Sequence, residues 1–289
     1  MQTLADLILD YKQAGKALGH FNISDSNQLH AIAKAAHETK LPVVVGLSEG
    51  EREFFPLREV RALMHMYQKE GIAMYLNADH TYSYEKAVEA IDAGVDSIVV
   101  DGAKLSFAEN AQLLERVATY AKHKRRFWGS HTLVEGELGY IGQSSSVMDK
   151  LPEGAAITEE MMTKPEELKK LIEETGIDLV APAVGNIHGI ITSGQPKLSI
   201  ERIGQLAQAV SVPLVLHGGS GSDDEEFSQA VKAGMSMVHI NTDIRVIYHD
   251  EVKKALIEGK EVAPYKFLAP AMQKTTEYVA QKLQLFARA

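Results

Sequence analysis

Residues 212–221 read VPLVLHGGSG, a short apolar run that stops at His217 and a cluster of glycines. The run is continuous rather than alternating, which is typical of a parallel strand buried on both faces of a sheet. Eight such runs occur along the chain, and longer segments with helical spacing lie between them. The predicted strands cover residues 17–22, 42–48, 73–79, 97–102, 131–137, 178–185, 213–218 and 237–241.

Eight strand–helix units in 289 residues predict an α/β fold, a closed (β/α)8 TIM barrel that forms a single domain over residues 1–289. An open doubly wound sheet is the alternative, but no G-x-G-x-x-G motif follows the first strand. Residues 140–161 exceed a usual connection in length and predict a functional loop. Residues 261–287 have helical periodicity after their prolines. This C-terminal helical extension is expected to cap the barrel or to pack on a partner subunit.

The composition excludes several classes of protein. The net charge of −9 argues against a nucleic acid partner, because phosphate backbones attract clustered lysine and arginine. The chain has no cysteine, which excludes disulfides, thiolate metal sites and a cysteine nucleophile. No segment is apolar for long enough to span a membrane. Residues 1–15 lack the apolar core of a signal peptide, so a cytoplasmic location is expected.

Three histidines stand at the ends of three predicted strands: His80 and His217 end their strands, and His188 follows one. A lone histidine there is more often a hydrogen-bonded structural residue. Three at equivalent positions suit a metal ion, since each offers a neutral nitrogen and a fourth position stays open for substrate. Active residues of TIM barrels come from the carboxyl ends of the strands. The sequence therefore predicts a metal centre at the mouth of the barrel.

Carboxylates accompany these histidines. Asp79 directly precedes His80 and is predicted to act as a general acid/base, although it would also suit a helix N-cap. Asp101 and Glu137 lie at the carboxyl ends of two further predicted strands. They are expected to hold a second metal position, to orient a metal ligand by hydrogen bonding, or to be ordinary polar residues of the mouth.

The glycine-rich turn after the seventh predicted strand indicates an anion site. Backbone N–H groups of Gly218 and Gly219 can approach a phosphate closely, and Ser220 adds a hydroxyl donor. Phosphate sites of TIM barrels often lie at the loops after the last two strands, where Asn241 and Thr242 would complete the pocket. A metal, an acid/base and an anion pocket at one mouth predict a phosphorylated substrate with a carbonyl or diol group.

With these motifs the chain resembles the class II, zinc-dependent ketose-bisphosphate aldolases, which include fructose- and tagatose-bisphosphate aldolases. The resemblance implies reversible cleavage of fructose 1,6-bisphosphate to dihydroxyacetone phosphate and glyceraldehyde 3-phosphate, and a homodimer or higher homo-oligomer. It covers almost the whole chain through FNISD (21–25), ADH (78–80), VVDGAKLSFAEN (99–110), VEGELGYIG (134–142), VGNIHG (184–189), LVLHGGSG (214–221) and INTDIR (240–245).

The resemblance also implies roles for residues. Asp79 would act on the C4 hydroxyl, and Asp101 and Glu137 match a second divalent metal site. A Na⁺ or K⁺ ion would lie near the phosphate. The catalytic Zn²⁺ would be held by His80, His188 and His217. The substrate would be bound by Ser48 on the glyceraldehyde phosphate half and by Gly189, Gly218, Gly219, Ser220, Asn241 and Thr242 on the dihydroxyacetone phosphate half.

Two positions depart from the family pattern. The family carries a glutamate on the loop after the fifth strand as a second acid/base, whereas residues 142–149 read GQSSSVMD here. Asp149 or Glu153 would have to take its place, or the proton comes from elsewhere. The last strand motif of the family has an asparagine three residues before the threonine. Here that position is His239, to which no role is assigned.

Alternatives remain open. Tagatose 1,6-bisphosphate differs from the fructose ester only at C4, and Ser48 slightly favours fructose. A metal hydrolase of the amidohydrolase kind would need an H-x-H pair in the first strand, which offers only His20. A non-catalytic binding protein is a third class, because the loop glutamate is missing. A lysine Schiff base is disfavoured, because Lys104 is the one lysine noted near a strand end.

Overall fold

The computed structural model describes residues 2–129, 132–142, 145–151 and 157–288. Within these residues the strands, in chain order, are β1 (Leu18–Asn22), β2 (Val43–Leu47), β3 (Met74–Thr81), β4 (Ser97–Val100), β5 (Leu133–Leu138), β6 (Val147–Met148), β7 (Leu179–Pro182), β8 (Ile190–Ile191), β9 (Leu214–Leu216) and β10 (Met235–Ile240). All but β6 and β8 form one closed barrel of parallel strands, in the order β1-β10-β9-β7-β5-β4-β3-β2. The predicted TIM barrel is confirmed.

Helices alternate with the strands and surround the barrel. Polar side chains begin several of them: Ser106 caps α6 in a reciprocal pair with Glu109, and Asp223 caps α9. The helices are α1 (Leu4–Gln13), α2 (Ser26–Thr39), α3 (Glu49–Phe54), α4 (Leu57–Lys69), α5 (Tyr84–Asp92), α6 (Phe107–Trp128), α7 (Pro165–Thr175), α8 (Ile200–Ala209), α9 (Asp224–Ala233), α10 (Thr242–Glu258), α11 (Pro264–Phe267) and α12 (Ala269–Phe286).

The inside of the barrel changes character along its axis. At the amino ends of the strands the inward side chains are apolar, including Leu18, Tyr75 and Met237, and α1 packs against this layer. Toward the carboxyl ends the buried side chains are polar: His20, Asn77, Glu135, His217 and His239 are between 0% and 6% exposed. TIM barrels usually fill these layers with branched apolar residues. Buried polar groups are costly unless paired, so this half of the barrel marks the functional site.

The C-terminal extension packs on its own barrel. Helix α12 contacts α2 and α10, and Thr276 Oγ1 donates a hydrogen bond to the carbonyl of Ala31 at 3.2 Å. Tyr278 Oη donates to Asp243 Oδ2 at 2.6 Å, at the start of α10. The extension therefore packs on helices at the side of its own barrel, a position that the sequence analysis did not consider. Contact with a partner subunit stays a prediction.

The long connection after β5 is partly ordered by strand pairing, which the sequence analysis missed. Strand β6, within residues 140–161, pairs in parallel with β8, which follows the predicted metal ligand His188. The backbone N–H of His188 also donates to the carbonyl of Ile141 at 2.8 Å. The loop and the segment around His188 are therefore hydrogen-bonded to each other. None of the helices in the described part of the chain has the length and apolarity needed to cross a membrane.

Candidate metal centre and active site

A bulge near the end of β3 places two consecutive side chains in one cavity. Neighbouring residues of a regular strand point to opposite faces. The pairing of β3 with β4 shifts register between Ala78 and Thr81, and His80 has a φ of 33°, in the left-handed region. Asp79 and His80 consequently both line the cavity at the mouth of the barrel. Backbone strain of this kind is concentrated at functional sites.

The three histidines singled out in the sequence converge. The ring centroid of His80 lies 4.7 Å from that of His188 and 5.1 Å from that of His217, and the last two are 5.7 Å apart. His80 meets the other two rings at angles of 81° and 80°, so the rings do not stack on one another. The ends of β3 and β9 and the segment before β8 thus bring three imidazoles to one point at the mouth.

Hydrogen bonds fix which nitrogen of each ring is free. His80 Nδ1 lies 3.0 Å from Asp101 Oδ2, and His188 Nδ1 lies 2.7 Å from the carbonyl oxygen of Gly142. Because both partners are acceptors, these nitrogens carry the proton and donate. The lone pair of a neutral ring then lies on Nε2, available to a cation. Asp101 therefore orients His80, which is one of the three roles that its position allowed.

His217 lies between two buried carboxylates. Its Nε2 is 2.7 Å from Glu135 Oε1, and its Nδ1 is 3.4 Å from Glu137 Oε2. Donation from Nε2 to Glu135 leaves the lone pair on Nδ1, facing Glu137 and the other two histidines. Single ligand atoms of His80, Glu137, His188 and His217 all lie within 4.8 Å of one another. Glu137 is thus part of the same group.

This group fits a divalent cation. His217 Nδ1 and Glu137 Oε2 are buried and have no hydrogen-bond partner among the described residues. An unsatisfied buried polar atom costs about 1–3 kcal/mol, which a bound cation would remove. Imidazole nitrogens with one carboxylate oxygen form a donor set typical of catalytic zinc. The arrangement is suited to a borderline-soft ion rather than to Mg²⁺ or Ca²⁺, which prefer oxygen.

Electrostatics in the protein without a metal also favour a positive charge here. Burial opposes protonation of His80, but Asp79, Asp101 and Glu137 outweigh it and raise the pKa of His80 to about 9. Burial lowers the pKa of His188 to about 3. Burial and the nearby Asp101 raise the pKa of Glu137. The proton on His80 thus balances part of the negative charge of these carboxylates, and a metal ion would take over this role.

Asp79 is placed to accept a proton. Its Oδ2 accepts a hydrogen bond from Asn22 Nδ2 at 2.9 Å, and its backbone carbonyl accepts from Arg52 Nη1 at 2.9 Å. Its buried Oδ1 has no hydrogen-bond partner in the described ranges and lies 3.8 Å from His80 Nε2. Burial disfavours the anion, but His80, His239 and His20 together lower the pKa of Asp79 well below its ordinary value. The carboxylate is ionised, with one oxygen turned toward the cavity.

The glycine-rich turn after β9 lies against this cavity. Gly218 has a φ of 59°, and a Cβ there would lie 2.4 Å from the carbonyl oxygen of Ile187, so only glycine fits. Gly218, Ser220 and Gly189 line the cavity together with Thr242. With Asn241, which also lines it, five of the predicted substrate-binding residues surround one space beside the histidines.

Two details refine the predicted anion pocket. The N–H of Gly219 donates to the carbonyl of His239 at 3.3 Å, so it is already used within the protein. Ser220 Oγ accepts from the N–H of Asp243 at 3.2 Å, which joins the turn to the first turn of α10. The positive end of this helix therefore faces the pocket, where an anion is stabilised.

A second cavity of about 180 Å³ opens beside the first and contains Ser48. Arg245 of α10 lines it and donates to Glu51 Oε1 at 2.6 Å and to the carbonyl of Ser145 at 3.1 Å. Asn241, which borders both cavities, contacts Ser145 Oγ at 3.5 Å. Ser48 Oγ itself bonds to Glu51 and caps α3. The guanidinium is the one group of this cavity lining that is always cationic.

Sequence reasoning missed several residues of the site. His20 and His239 stack with ring centroids 3.5 Å apart, and His239 in turn stacks on His217 at 4.2 Å. Glu135 and Arg245 were also unassigned. Period-two alternation was the available signal: His20 and Glu135 stand two residues before Asn22 and Glu137, on the same inward face. The sequence analysis treated the strands as continuous apolar runs and therefore did not use this alternation.

Of the two loop acids considered from the sequence, only Asp149 lies in the described residues, and it does not line the cavity. Asp149 is exposed, and its Oδ1 accepts from Thr192 Oγ1 at 3.1 Å. Glu153 lies outside the described residues. The source of the second proton therefore stays a prediction.

Comparisons with known proteins agree with this geometry. Residues 2–289 match the family model described as "Fructose-bisphosphate aldolase class-II". A fructose-bisphosphate aldolase of Staphylococcus epidermidis is 32% identical over 98% of this chain and 96% of its own length. A probable fructose-bisphosphate aldolase of Bacillus subtilis is 31% identical over the same shares.

Solved structures share the fold. The crystal structure of the YdjI aldolase from Escherichia coli K12 matches with a TM-score of 0.81 and 25% identity, over 99% of this chain and 97% of that chain. A fructose-bisphosphate aldolase from Campylobacter jejuni shares the fold, with a TM-score of 0.75 and 19% identity over 98% and 93% of the two chains. The family implies a divalent metal, for which the buried histidine and glutamate group is present. The chain belongs to the class II fructose-bisphosphate aldolases, a family of aldehyde-lyases.

Proposed function

We propose that the chain reversibly cleaves fructose 1,6-bisphosphate to dihydroxyacetone phosphate and glyceraldehyde 3-phosphate, in the cytoplasm. The observation that carries the proposal is the convergence of His80, His188 and His217 beside the free oxygen of Asp79. Breaking a carbon–carbon bond next to a hydroxyl needs a base for the hydroxyl proton. It also needs a positive centre for the electron pair left on carbon. The cavity offers both.

We propose Zn²⁺ as the metal, held by His80, His188 and His217 with Glu137 as a further ligand. When bound, zinc supplies a Lewis acid that stabilises negative charge developing on the C2 and C3 oxygens. Asp101 keeps its partner His80 in the right tautomer. A second divalent metal at Asp101 and Glu137, and Na⁺ or K⁺ near the phosphate, stay predictions.

The two phosphates of the substrate find different surroundings. The glycine pocket at the start of α10, lined by Gly189, Gly218, Ser220 and Thr242, would bind the phosphate of the dihydroxyacetone half through N–H and hydroxyl donors. The neighbouring cavity with Arg245 would bind the phosphate of the glyceraldehyde half. The histidines lie beside both cavities, where C2 to C4 of a linear sugar would lie.

Different residues act on different atoms of the substrate during cleavage. Asp79 Oδ1 removes the proton from the C4 hydroxyl, C4 becomes the aldehyde carbon, and the C3–C4 electron pair stays on C3. Asn22 holds the other oxygen of Asp79, so the carboxylate keeps its orientation during the transfer. C3 then takes a proton from an acid of residues 140–161, for which Asp149 and Glu153 are the proposals, or from water.

A coupled assay with both ketose bisphosphates, with and without added Zn²⁺, tests the proposal. We expect zinc-dependent cleavage of fructose 1,6-bisphosphate, and slower cleavage of tagatose 1,6-bisphosphate. Faster cleavage of the tagatose ester would mean that tagatose 1,6-bisphosphate is the substrate, and the assignment as an aldolase would stand. Zinc-loaded protein that cleaves neither ester would contradict the proposal.

Replacing Arg245 by methionine is expected to raise KM for the bisphosphate by about 10- to 100-fold, because a charged hydrogen bond to phosphate contributes about 1.5–3 kcal/mol. Turnover should fall less, since the phosphate lies away from the bond that breaks. Lys253→Met, an exposed cation on the same helix, is the matched control. Steady-state kinetics of the two variants provide the measurement, and an unchanged KM in Arg245→Met would place the phosphate elsewhere.

We also propose a homodimer or higher homo-oligomer. Large apolar side chains at the end of α10 and beyond it support this proposal, because contiguous exposed apolar surface is unusual on a monomer. Leu256, Ile257, Val262 and Tyr265 are all more than half exposed.

A further inference from the structure

A column of three imidazoles occupies the centre of the polar half of the barrel. The ring of His239 lies between those of His20 and His217, at 3.5 Å with an interplanar angle of 7° and at 4.2 Å with an angle of 23°. His217 belongs to the metal group, whereas His20 and His239 have no role so far. His20 and His239 are direct neighbours across the β1–β10 pairing that closes the barrel.

A hydrogen bond and close packing fix the position of the His20 ring. Its Nε2 lies 3.1 Å from Asn77 Oδ1, and Asn77 Nδ2 donates to Ser97 Oγ at 2.7 Å, so the amide oxygen faces the ring. A Cβ on Gly46 would lie 2.2 Å from the ring, and the glycine in β2 therefore leaves the space that the imidazole fills. The ring of His20 is therefore held in place, and His239 stacks on it.

His239 itself has unused hydrogen-bonding capacity. It is 6% exposed, it lines the cavity with Asp79, and both of its nitrogens lack a hydrogen-bond partner among the described residues. A neutral imidazole has one N–H and one lone pair to offer a ligand. Leaving such groups unpaired costs about 1–3 kcal/mol each, and a ligand would satisfy them.

A second metal ion is a poor explanation for these nitrogens. His20, Asp79 and His239 bring ligand atoms within 4.8 Å of one another. A metal ion, however, lies in the plane of each imidazole that binds it. Two rings stacked at 3.5 Å and nearly parallel cannot both point a lone pair at one ion without breaking the stack. A hydroxyl group of the substrate can use the ring as it stands.

His239 Nδ1 lies 3.6 Å from the free Oδ1 of Asp79, too far for a good hydrogen bond but close enough for one oxygen atom to contact both. The N–H of the neutral ring is favoured on the side of this carboxylate. We propose that His239 donates a hydrogen bond to the C4 oxygen of the substrate, the oxygen from which Asp79 removes the proton. The stack with His20 and His217 holds the donor in place.

This role rests on the proposed aldolase function and gives it a further catalytic residue. Negative charge grows on the C4 oxygen as its proton leaves, and in the reverse direction the same oxygen belongs to the aldehyde that must be polarised. A donor that is already fixed in place stabilises that charge without having to reorganise. His20 is a positioning residue, since it stacks on His239, hydrogen-bonds to Asn77 and is not part of the cavity lining.

Two half-reactions separate this role from a structural one. Cleavage of fructose 1,6-bisphosphate uses the C4 oxygen, whereas exchange of the C3 proton of dihydroxyacetone phosphate with D₂O does not. We expect His239→Phe, which keeps a stacked ring and loses both nitrogens, to lower kcat for cleavage about 10- to 100-fold. Proton exchange should stay within about threefold of wild type. His239→Asn, which restores an N–H donor, should recover most of the lost cleavage.

Several outcomes would overturn the proposal. Equal loss of cleavage and exchange in His239→Phe, or loss of bound zinc by metal analysis, would mean that the ring only supports the metal centre. Unchanged cleavage in His239→Phe would mean that the ring makes no contact with the reacting oxygen. Failure of His239→Asn to recover activity would exclude a donor role. Wild-type protein without either half-reaction would instead contradict the proposed aldolase function itself, and the role of His239 would fall with it.

Discussion

Chelation of the metal by EDTA is expected to abolish cleavage, and added Zn²⁺ is expected to restore it. The ligand geometry gives the reason: Nε2 of His80 and His188 and Nδ1 of His217 are left free by hydrogen bonds to their other nitrogens. Glu137 faces the same point. A Lewis acid contributes several kcal/mol to stabilising the departing electron pair, so the loss should be about 10³-fold or more.

The measurement compares steady-state rates before chelation, after it, and after return of zinc, with metal content determined at each step. Mg²⁺ returned in place of Zn²⁺ is the matched control, because a site with three imidazoles selects against it. Full activity in protein shown to contain no metal would contradict the assignment of the centre.

Borohydride trapping distinguishes two ways of stabilising a carbanion, a metal ion and a lysine Schiff base. Borohydride added with substrate should leave no covalent adduct, because the metal route forms no Schiff base. Lys104, the lysine just past the fourth predicted strand, is exposed. A lysine with a lowered pKa in a desolvated pocket is what an imine mechanism needs. Detection of a reduced adduct by mass spectrometry would overturn the metal mechanism.

Replacing Asp79 by alanine is expected to lower turnover by about 10²- to 10⁴-fold while zinc stays bound, the usual range for loss of a general base. Asp79 Oδ1 is the oxygen with no partner in the described residues, and it faces the cavity. The metal ligands have their own supports in Asp101, Gly142 and Glu135. The variant should therefore lose the base without losing the centre.

The control for Asp79→Ala is Asp250→Ala, which removes an exposed carboxylate of α10 far from the cavity lining. Asp79→Asn adds a second comparison, since an amide keeps the shape and the contact with Asn22 but cannot accept the proton. We expect it to be as slow as the alanine variant. Turnover within a few-fold of wild type in both variants, with zinc present, would remove Asp79 from its role as the base.

Much of the site followed from local sequence. The ends of parallel strands meet at one edge of a closed barrel. Histidines that end strands at residues 80 and 217, or follow one at residue 188, are therefore expected near one another. The glycine turn at 218–221 likewise had to lie at that edge. These conclusions needed only the strand positions, which long runs of buried apolar residues define well.

Other parts of the site could not be read in this way. Asp79 and His80 would point to opposite faces in a regular strand, and only the bulge in β3 brings both inward. Arg245 and Glu51 form an ion pair between α10 and α3, helices far apart in the chain. Such contacts depend on how the helices pack around the complete barrel, and no short sequence motif predicts them.

The sequence by itself determined the architecture and the end of the barrel that carries the chemistry, because both depend on local periodicity and on chain direction. The tertiary structure alone decided which side chains share the interior. Closure of β1 against β10 places His20 on His239, and the same geometry sets Glu135 behind His217. Alternation along a strand says which residues share a face, but the register between distant strands is fixed only when the last hydrogen bonds close the sheet.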